Sequence, residues 1–133
     1  MKEYFDGELV VARHVPSEEV WKNGLSFFSK DQDFIQCGSW GYDKGKNLLA
    51  HIHNEVKREV LWTQEVIYVR KGSITAHIFD TKEKKIADQI VSEGDVIILL
   101  RGGHGYTINE DGTQVLEVKN GPYVGADLDR RRF

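Results

Sequence analysis

The feature that most constrains this chain is a series of short apolar, β-branched runs separated by Gly, Asn and Asp. Alternation of apolar and polar residues within such runs is the periodicity of strands rather than helices. No repeat and no low-complexity linker divides the chain. The sequence therefore predicts one all-β domain over residues 1–133, folded as an antiparallel sandwich or closed barrel. The clearest runs are residues 65–79, 86–100 and 105–119.

Two other segments interrupt the strand pattern. A short helix is predicted in "PSEEVWKNG", capped by Ser17 and ending at Gly24. Pro122 is expected to stop the last strand. The polar tail that follows, about residues 121–133, is expected to wrap over the barrel or a partner subunit, or to be partly disordered.

Composition excludes several classes of function. The 18 Lys and Arg residues against 21 Asp and Glu give a net charge of -3, which argues against nucleic acid or anionic lipid as a partner. Cys37 is the only cysteine, so neither an intramolecular disulfide nor a thiolate metal cluster can form. No signal-peptide pattern and no long apolar run is present, so we expect a cytoplasmic protein without a membrane span.

A predicted hairpin at Lys71-Gly72 would place a carboxylate on an apolar face. In that register Glu65 lies opposite Ile78 and shares its face with aliphatic residues, which is costly unless the carboxylate binds a cation or another partner. His77 would point to the opposite face. We therefore interpret His77 as structural, and His14 likewise.

A second predicted hairpin, at Asp111-Gly112, pairs Tyr106 with Glu117 and His104 with Lys119. A histidine, a phenol and a carboxylate on one face are typical of a pocket lining. The alternative is a solvent-facing stripe on an edge strand.

Two histidines occur one residue apart in "LLAHIHNEV". In a strand His51 and His53 would project from the same face, about 6 to 7 Å apart along the chain, and could converge on one metal ion. A solvated strand face with alternating polar residues is the alternative.

The stretches "GKNLLAHIHN", "EVIYVRKG" and "GDVIILLRGGHGYTIN" together resemble the two sequence motifs of the cupin superfamily. The first motif covers about residues 45–72 and the second about residues 94–109. The resemblance implies a double-stranded β-helix, or jelly-roll barrel, with one divalent transition metal. The metal ligands it implies are His51, His53, Glu65 and His104, with Gly45, Gly72, Gly94, Gly102 and Asn109 as further motif positions.

The chain departs from the motifs at three points, one of which is Leu100 in place of the motif proline. The insertion of residues 54–64 separates His53 from Glu65, and it contains Glu55 and Glu59 as rival carboxylates. Glu65 is preferred because it keeps the six-residue spacing to the turn glycine. His104 falls one residue early, and the two glycines before it could re-aim its side chain inward.

The implied ligands, three imidazoles and one carboxylate, suit Fe, Mn, Ni or Zn better than Mg or Ca. We expect a metal-dependent enzyme of oxygenase or isomerase type that acts on a small polar metabolite, with Tyr106 or Glu117 as acid or base. Two alternatives remain open, a non-catalytic binder of a sugar or sugar nucleotide and a metal-free sugar epimerase or isomerase. Aromatic residues that could wall the pocket are Trp62, Trp40 and Phe34. A homodimer formed through sheet edges is expected.

Overall fold

The computed structural model describes all residues, 1–133, and strands dominate it, which confirms the all-β prediction. The two helices, α1 (Ser17–Val20) and α2 (Ala126–Asp129), have four residues each. No helix is long and apolar enough to cross a membrane. The strands are β1 (Lys2–Asp6), β2 (Leu9–Val15), β3 (Gly24–Phe27), β4 (Gly38–Gly41), β5 (Glu65–Lys71), β6 (Ser73–Phe79), β7 (Lys85–Ser92), β8 (Val96–Leu99), β9 (His104–Ile108) and β10 (Gln114–Lys119).

The strands form three antiparallel sheets. The larger sheet has the order β1-β2-β8-β5-β10, the smaller sheet has the order β7-β6-β9, and β3 pairs only with β4. Strands β9 and β10 are therefore edge strands, each paired on one side only. The jelly-roll closure stays a prediction.

The inner faces of the larger and smaller sheets pack against each other. One apolar cluster joins Ile67 and Ile97 of the larger sheet to Ile74 and Ile78 of the smaller sheet. A second cluster lies on the other face of the larger sheet, where Ile98 packs near α1. Because β8 is covered on both faces, all its side chains are apolar and buried, which explains its unbroken run "VIILL".

Both predicted hairpins are wrong. Strands β5 and β6 are joined only through Gly72, yet they belong to different sheets. Strands β9 and β10, which are joined by residues 109–113, also belong to different sheets. A glycine with positive φ, such as Gly72 at +77°, permits a sharp bend that passes the chain from one packed sheet to the next as readily as a hairpin turn. Residues that the predicted hairpins placed side by side in one sheet therefore belong to two different sheets.

The short helix begins as predicted but is capped differently. The Ser17 side chain makes no capping bond, and the backbone N–H of Ser17 instead donates to Asp95 Oδ1 at 2.8 Å. Asp95 also bonds His14 Nε2 at 2.8 Å, in line with a structural role for that histidine. The helix ends at Val20 and not at Gly24 as predicted, and Gly24 is instead the first residue of β3.

The tail folds back over the molecule, one of the three outcomes expected for it. Strand β10 ends at Lys119, before Pro122 as predicted. The Phe133 ring packs edge-on against Phe79 at 5.1 Å, and Arg131 forms an ion pair with Glu83. Asp129 accepts a hydrogen bond from Thr63.

Candidate functional site

A cleft of about 990 Å³ opens at the side of the sandwich where the two edge strands lie. Its walls come from β5, β9, β10, the end of β6 with the turn after it, and the folded-back tail. Strand alternation directs His104 and Tyr106 of β9 to the same face as the buried Ile78 and Ala76, their register partners. On the facing sheet the register places Glu117 beside Ile67 and Lys119 beside Glu65. These five polar residues are Glu65, His104, Tyr106, Glu117 and Lys119, and all of them line the cleft.

A carboxylate with two nitrogen partners forms the centre of the cleft. Glu65 is buried, and its Oε2 lies 3.2 Å from His104 Nε2. Its other oxygen, Oε1, lies 2.9 Å from the ammonium of Lys119, which also contacts Glu117 at 2.9 Å. The costly carboxylate on an apolar face therefore has partners from both sheets.

Two glycines determine the direction of His104. Gly102 has φ of +75°, in the left-handed region, and Gly103 exchanges backbone hydrogen bonds with Phe79 at 2.9 and 3.2 Å. A Cβ at Gly102 would lie 2.4 Å from the Phe79 carbonyl oxygen. The glycine conformation anticipated from the sequence is thus present, and the strand that follows it carries His104 inward.

The partners of Glu65 control its charge. Burial alone would raise the pKa of this carboxyl, but the hydrogen bonds from His104 and Lys119 outweigh burial, and the pKa lies below its ordinary value. Burial has the opposite effect on a cation and alone would lower the pKa of Lys119. Its contacts with the carboxylates of Glu117 and Glu65 outweigh burial, so the pKa of Lys119 lies above its ordinary value. Glu65 is therefore an anion and Lys119 a cation at neutral pH.

Tyr106 brings an unsatisfied donor to the same place. Its hydroxyl is buried without a hydrogen-bond partner, and its ring centroid lies 5.7 Å from that of His104. Burial, together with the charges of Glu65 and Glu117, raises the pKa of Tyr106 well above its usual range. A buried hydroxyl without a partner costs about 1 to 3 kcal/mol, so this group is suited to an acceptor supplied by a ligand.

His51 and His53 are not part of this arrangement. They lie in a connecting segment, residues 42–61, that contains no strand and whose side chains are all exposed. Their rings are 5.1 Å apart, and the only side-chain hydrogen bond of either is from His51 Nδ1 to the Leu49 carbonyl at 3.3 Å. The predicted strand is wrong, because the segment contains no strand and pairs with none of the sheets. No group of three or more His, Cys, Asp or Glu side chains is close enough to hold a metal ion.

Three further residues are the two carboxylates that rival Glu65 as a ligand and the histidine interpreted as structural. Glu55 and Glu59 are exposed in the connecting segment. His77 points to the outer face of the smaller sheet and also reaches the cleft, but its ring nitrogens are bonded to Asp88 at 2.5 Å and Thr107 at 2.8 Å rather than to Glu65. This agrees with its predicted orientation, opposite to the buried aliphatic residues of β6.

The three aromatic candidates have different environments. Trp62 lines the cleft and donates from Nε1 to the Leu100 carbonyl at 2.9 Å. Phe34 supports it from behind, with ring centroids 4.6 Å apart. Trp40 lies in β4, exposed and outside the cleft.

Sequence reasoning assigned no role to Lys119 or to the arginines of the cleft. Lys119 was visible as the register partner of His104 in the predicted hairpin. The tail arginines are conspicuous in "DRRRF". Arg101 offered no signal, because its contact with Trp62 depends on the fold.

Comparisons of the chain with protein families, with curated proteins and with solved structures give no match.

Proposed function

We propose that this protein is a small cupin-type jelly roll that binds one divalent transition metal and acts on a small polar metabolite as a metal-dependent enzyme. The observation that carries the proposal is the 3.2 Å contact between Glu65 and His104 inside the cleft. A carboxylate and an imidazole are two of the four ligands that the motifs imply, and they come from different sheets. Because these two side chains are in contact, half of the implied ligand set is already close together, which supports a metal site in the cleft.

The remaining ligands, His51 and His53, require a rearrangement of the connecting segment. The free side of β9 offers a place for it, because His104, Tyr106 and Ile108 alternate with the residues bonded to β6 and direct their backbone N–H and C=O groups away from that strand. We propose that the stretch around His51 and His53 pairs with this edge when metal is bound. Pairing there would also cover apolar side chains of the segment that are now exposed.

The proposed roles of the other residues follow from their donors and acceptors. The metal would supply Lewis acidity or a redox centre. The Tyr106 hydroxyl would donate a hydrogen bond to an oxygen of the ligand. Glu117, at the cleft surface beside Lys119, would accept or return a proton.

A metal-free acid–base enzyme is the second candidate, and the position of Lys119 favours it. The ammonium already neutralises the carboxylate that a metal would need. In this candidate Glu65 orients the imidazole of His104, which acts as the base of an epimerase or isomerase. Ligand capture without turnover would instead indicate a non-catalytic binder.

We also propose a homodimer. Strand β10 is an edge strand of the larger sheet, and Leu116 and Val118 are exposed along it. An exposed apolar edge strand is a natural site for pairing with a second copy. A mass of one chain by light scattering at micromolar concentration would reject this part of the proposal.

Metal content per chain, measured by mass spectrometry, tests the main proposal. His104→Ala, His51→Ala, His53→Ala and Glu65→Gln should each lower occupancy at least about tenfold, because losing one ligand weakens binding strongly. His77→Ala is the matched control, since it removes a partly exposed imidazole that reaches the cleft but is bonded to Asp88 and Thr107 instead of Glu65, and it should retain full metal. Circular dichroism should show all five variants folded.

Lys119→Met separates the two candidates. If the protein is a metal-dependent enzyme, the variant should bind as much metal as the wild type or more, because the Lys119 ammonium no longer competes with the metal for Glu65. If neither the wild type nor Lys119→Met takes up Mn²⁺, Fe²⁺, Ni²⁺ or Zn²⁺ offered in excess, the metal proposal is rejected. Isomerase activity that survives exhaustive chelation and is lost in His104→Ala would then establish the second candidate.

A further inference from the structure

One wall of the cleft carries guanidinium groups that have no carboxylate partner. Arg101, Arg130 and Arg132 line the cleft, and none of them takes part in an ion pair. Arg131, by contrast, is paired with Glu83. Each guanidinium offers five N–H donors in a planar fork that matches carboxylate and phosphate oxygens.

The surrounding structure holds these arginines at the cleft. The Arg101 guanidinium lies 3.8 Å from the centre of the Trp62 ring, and Trp62 is itself fixed by its bond to the Leu100 carbonyl. The tail that carries Arg130 and Arg132 is attached on both sides of them. Asp129 binds Thr63 before them, and Phe133 packs on Phe79 after them.

The acidic residues of the cleft are already engaged. Glu65 and Glu117 share Lys119, and Glu83 has Arg131. Asp129 accepts the Thr63 hydroxyl, and Asp80 accepts the backbone N–H groups of residues 82 and 84. Among the charged side chains of the cleft, the three exposed guanidiniums are left without an oppositely charged partner, and the buried Tyr106 hydroxyl has no hydrogen-bond partner.

We propose that the ligand of this cleft is a small oxygenated anion, an organic acid or a phosphate ester. Its charged group binds Arg101 together with Arg130 and Arg132, and a second oxygen accepts a hydrogen bond from Tyr106. This inference rests on the proposed function in using the same cleft, and it adds the class of metabolite. Charge-assisted, bidentate bonds to guanidinium would supply much of the affinity.

Calorimetric titration at low ionic strength with two matched pairs of probes tests the inference. Glucose 6-phosphate is compared with glucose, and lactate with lactamide, so that each pair differs in the anionic group. Binding of one anion and not of its neutral counterpart is the expected result. The pair that responds identifies the source of the charge as phosphate or carboxylate.

Three variants locate the bound anion. Arg101→Gln should weaken binding of the responding probe about tenfold or more, as expected for the loss of one charge-assisted contact. Tyr106→Phe should weaken it by a smaller factor. Arg70→Gln is the control, because Arg70 is an exposed arginine outside this cleft, and it should bind as the wild type does.

Several outcomes would overturn the inference. Equal binding of the neutral and anionic probes would do so, and so would wild-type affinity in Arg101→Gln and in the double variant Arg130→Gln/Arg132→Gln. Equal weakening by Arg70→Gln would show a general ionic attraction only. Metal content of Arg101→Gln should match the wild type, so a failure of this inference can be told apart from a failure of the metal site.

Discussion

Strands β5 to β8 and the connecting segment of residues 42–61 are both rich in aliphatic residues, yet their environments are opposite. The strands bury apolar side chains in the two apolar clusters, as with Ile98 of the second cluster, which is 0 % exposed. The connecting segment leaves its apolar side chains in solvent, as with Ile52, which is 89 % exposed. Its hydrogen bonds are all internal, such as the one from the Lys46 N–H to the Asp43 carbonyl.

The difference shows that partners, rather than composition, give these residues their structure. An isolated extended segment leaves its backbone groups to water and buries no surface, so nothing offsets the entropy of ordering it. Strand β8 has neighbours on both edges and cover on both faces. The connecting segment has neither, although an open edge is available on β9.

Truncating an isoleucine in each region should give the largest contrast. Ile98→Ala should lower the free energy of unfolding by about 2 to 5 kcal/mol, since it leaves a cavity in the second apolar cluster. Ile52→Ala should change it by less than about 0.5 kcal/mol. Urea denaturation of metal-free protein measures both, and a large effect of Ile52→Ala would mean that the segment is packed in solution.

Glu3 of strand β1 and Glu55 of the connecting segment give a contrast that depends on pH. The hydrogen bond from Arg13, whose Nε lies 2.7 Å from Glu3, holds the pKa of Glu3 below its ordinary value of 4.5. A lowered pKa stabilises the folded state above the ordinary value, and this stability is lost as pH falls through the lower, folded value. Glu3→Gln should therefore cost about 1.5 kcal/mol at neutral pH, and this cost should shrink as pH falls below the ordinary value of 4.5.

Glu55→Gln is the counterpart in the connecting segment. Glu55 is exposed and forms no ion pair or hydrogen bond, so its replacement should leave stability unchanged at every pH. Thermal unfolding followed between pH 7 and about pH 3 compares the two variants. Parallel curves for Glu3→Gln and the wild type would contradict the assigned contact.

The smallest contrast involves the tryptophans at the two sides of the segment. Trp62→Phe removes the donor to the Leu100 carbonyl and should cost about 1 kcal/mol. The loss is limited because Gln64 donates to the same oxygen at 3.3 Å. Trp40→Phe removes no hydrogen bond and should cost less than about 0.5 kcal/mol. Equal costs in chemical denaturation would show that Trp40 packs against something further.

The sequence predicts some levels of this structure and not others, for physical reasons. Strand positions follow from local alternation, and so does the face on which each side chain lies, which is why Glu65, His104, Tyr106 and Glu117 reach one cleft. The pairing of the strands failed because Gly72 and Gly112 permit a turn within a sheet as well as a bend between sheets. Alternation of faces survives that error, since the inner faces of two packed sheets meet.

Other parts of the site depend on contacts between distant residues. The salt bridge of Lys119 to Glu65 arises from the pairing of β10 with β5, which no local pattern specifies. The exposed state of His51 and His53 likewise reflects a missing neighbour rather than an unfavourable sequence. The four-ligand metal site implied by the motifs remains a prediction for this reason.

Gly102 has a consequence for how the protein can diverge. A side chain at this position would meet the Phe79 carbonyl, and its residue would be strained in the positive φ that the fold requires there and that only glycine adopts freely. A mutation there would redirect His104 without altering a single functional group of the cleft. In a mutational scan scored by ligand binding, this position should therefore rank with the histidine itself, while nearby Gly105, whose added Cβ would meet nothing within 4 Å, should tolerate alanine.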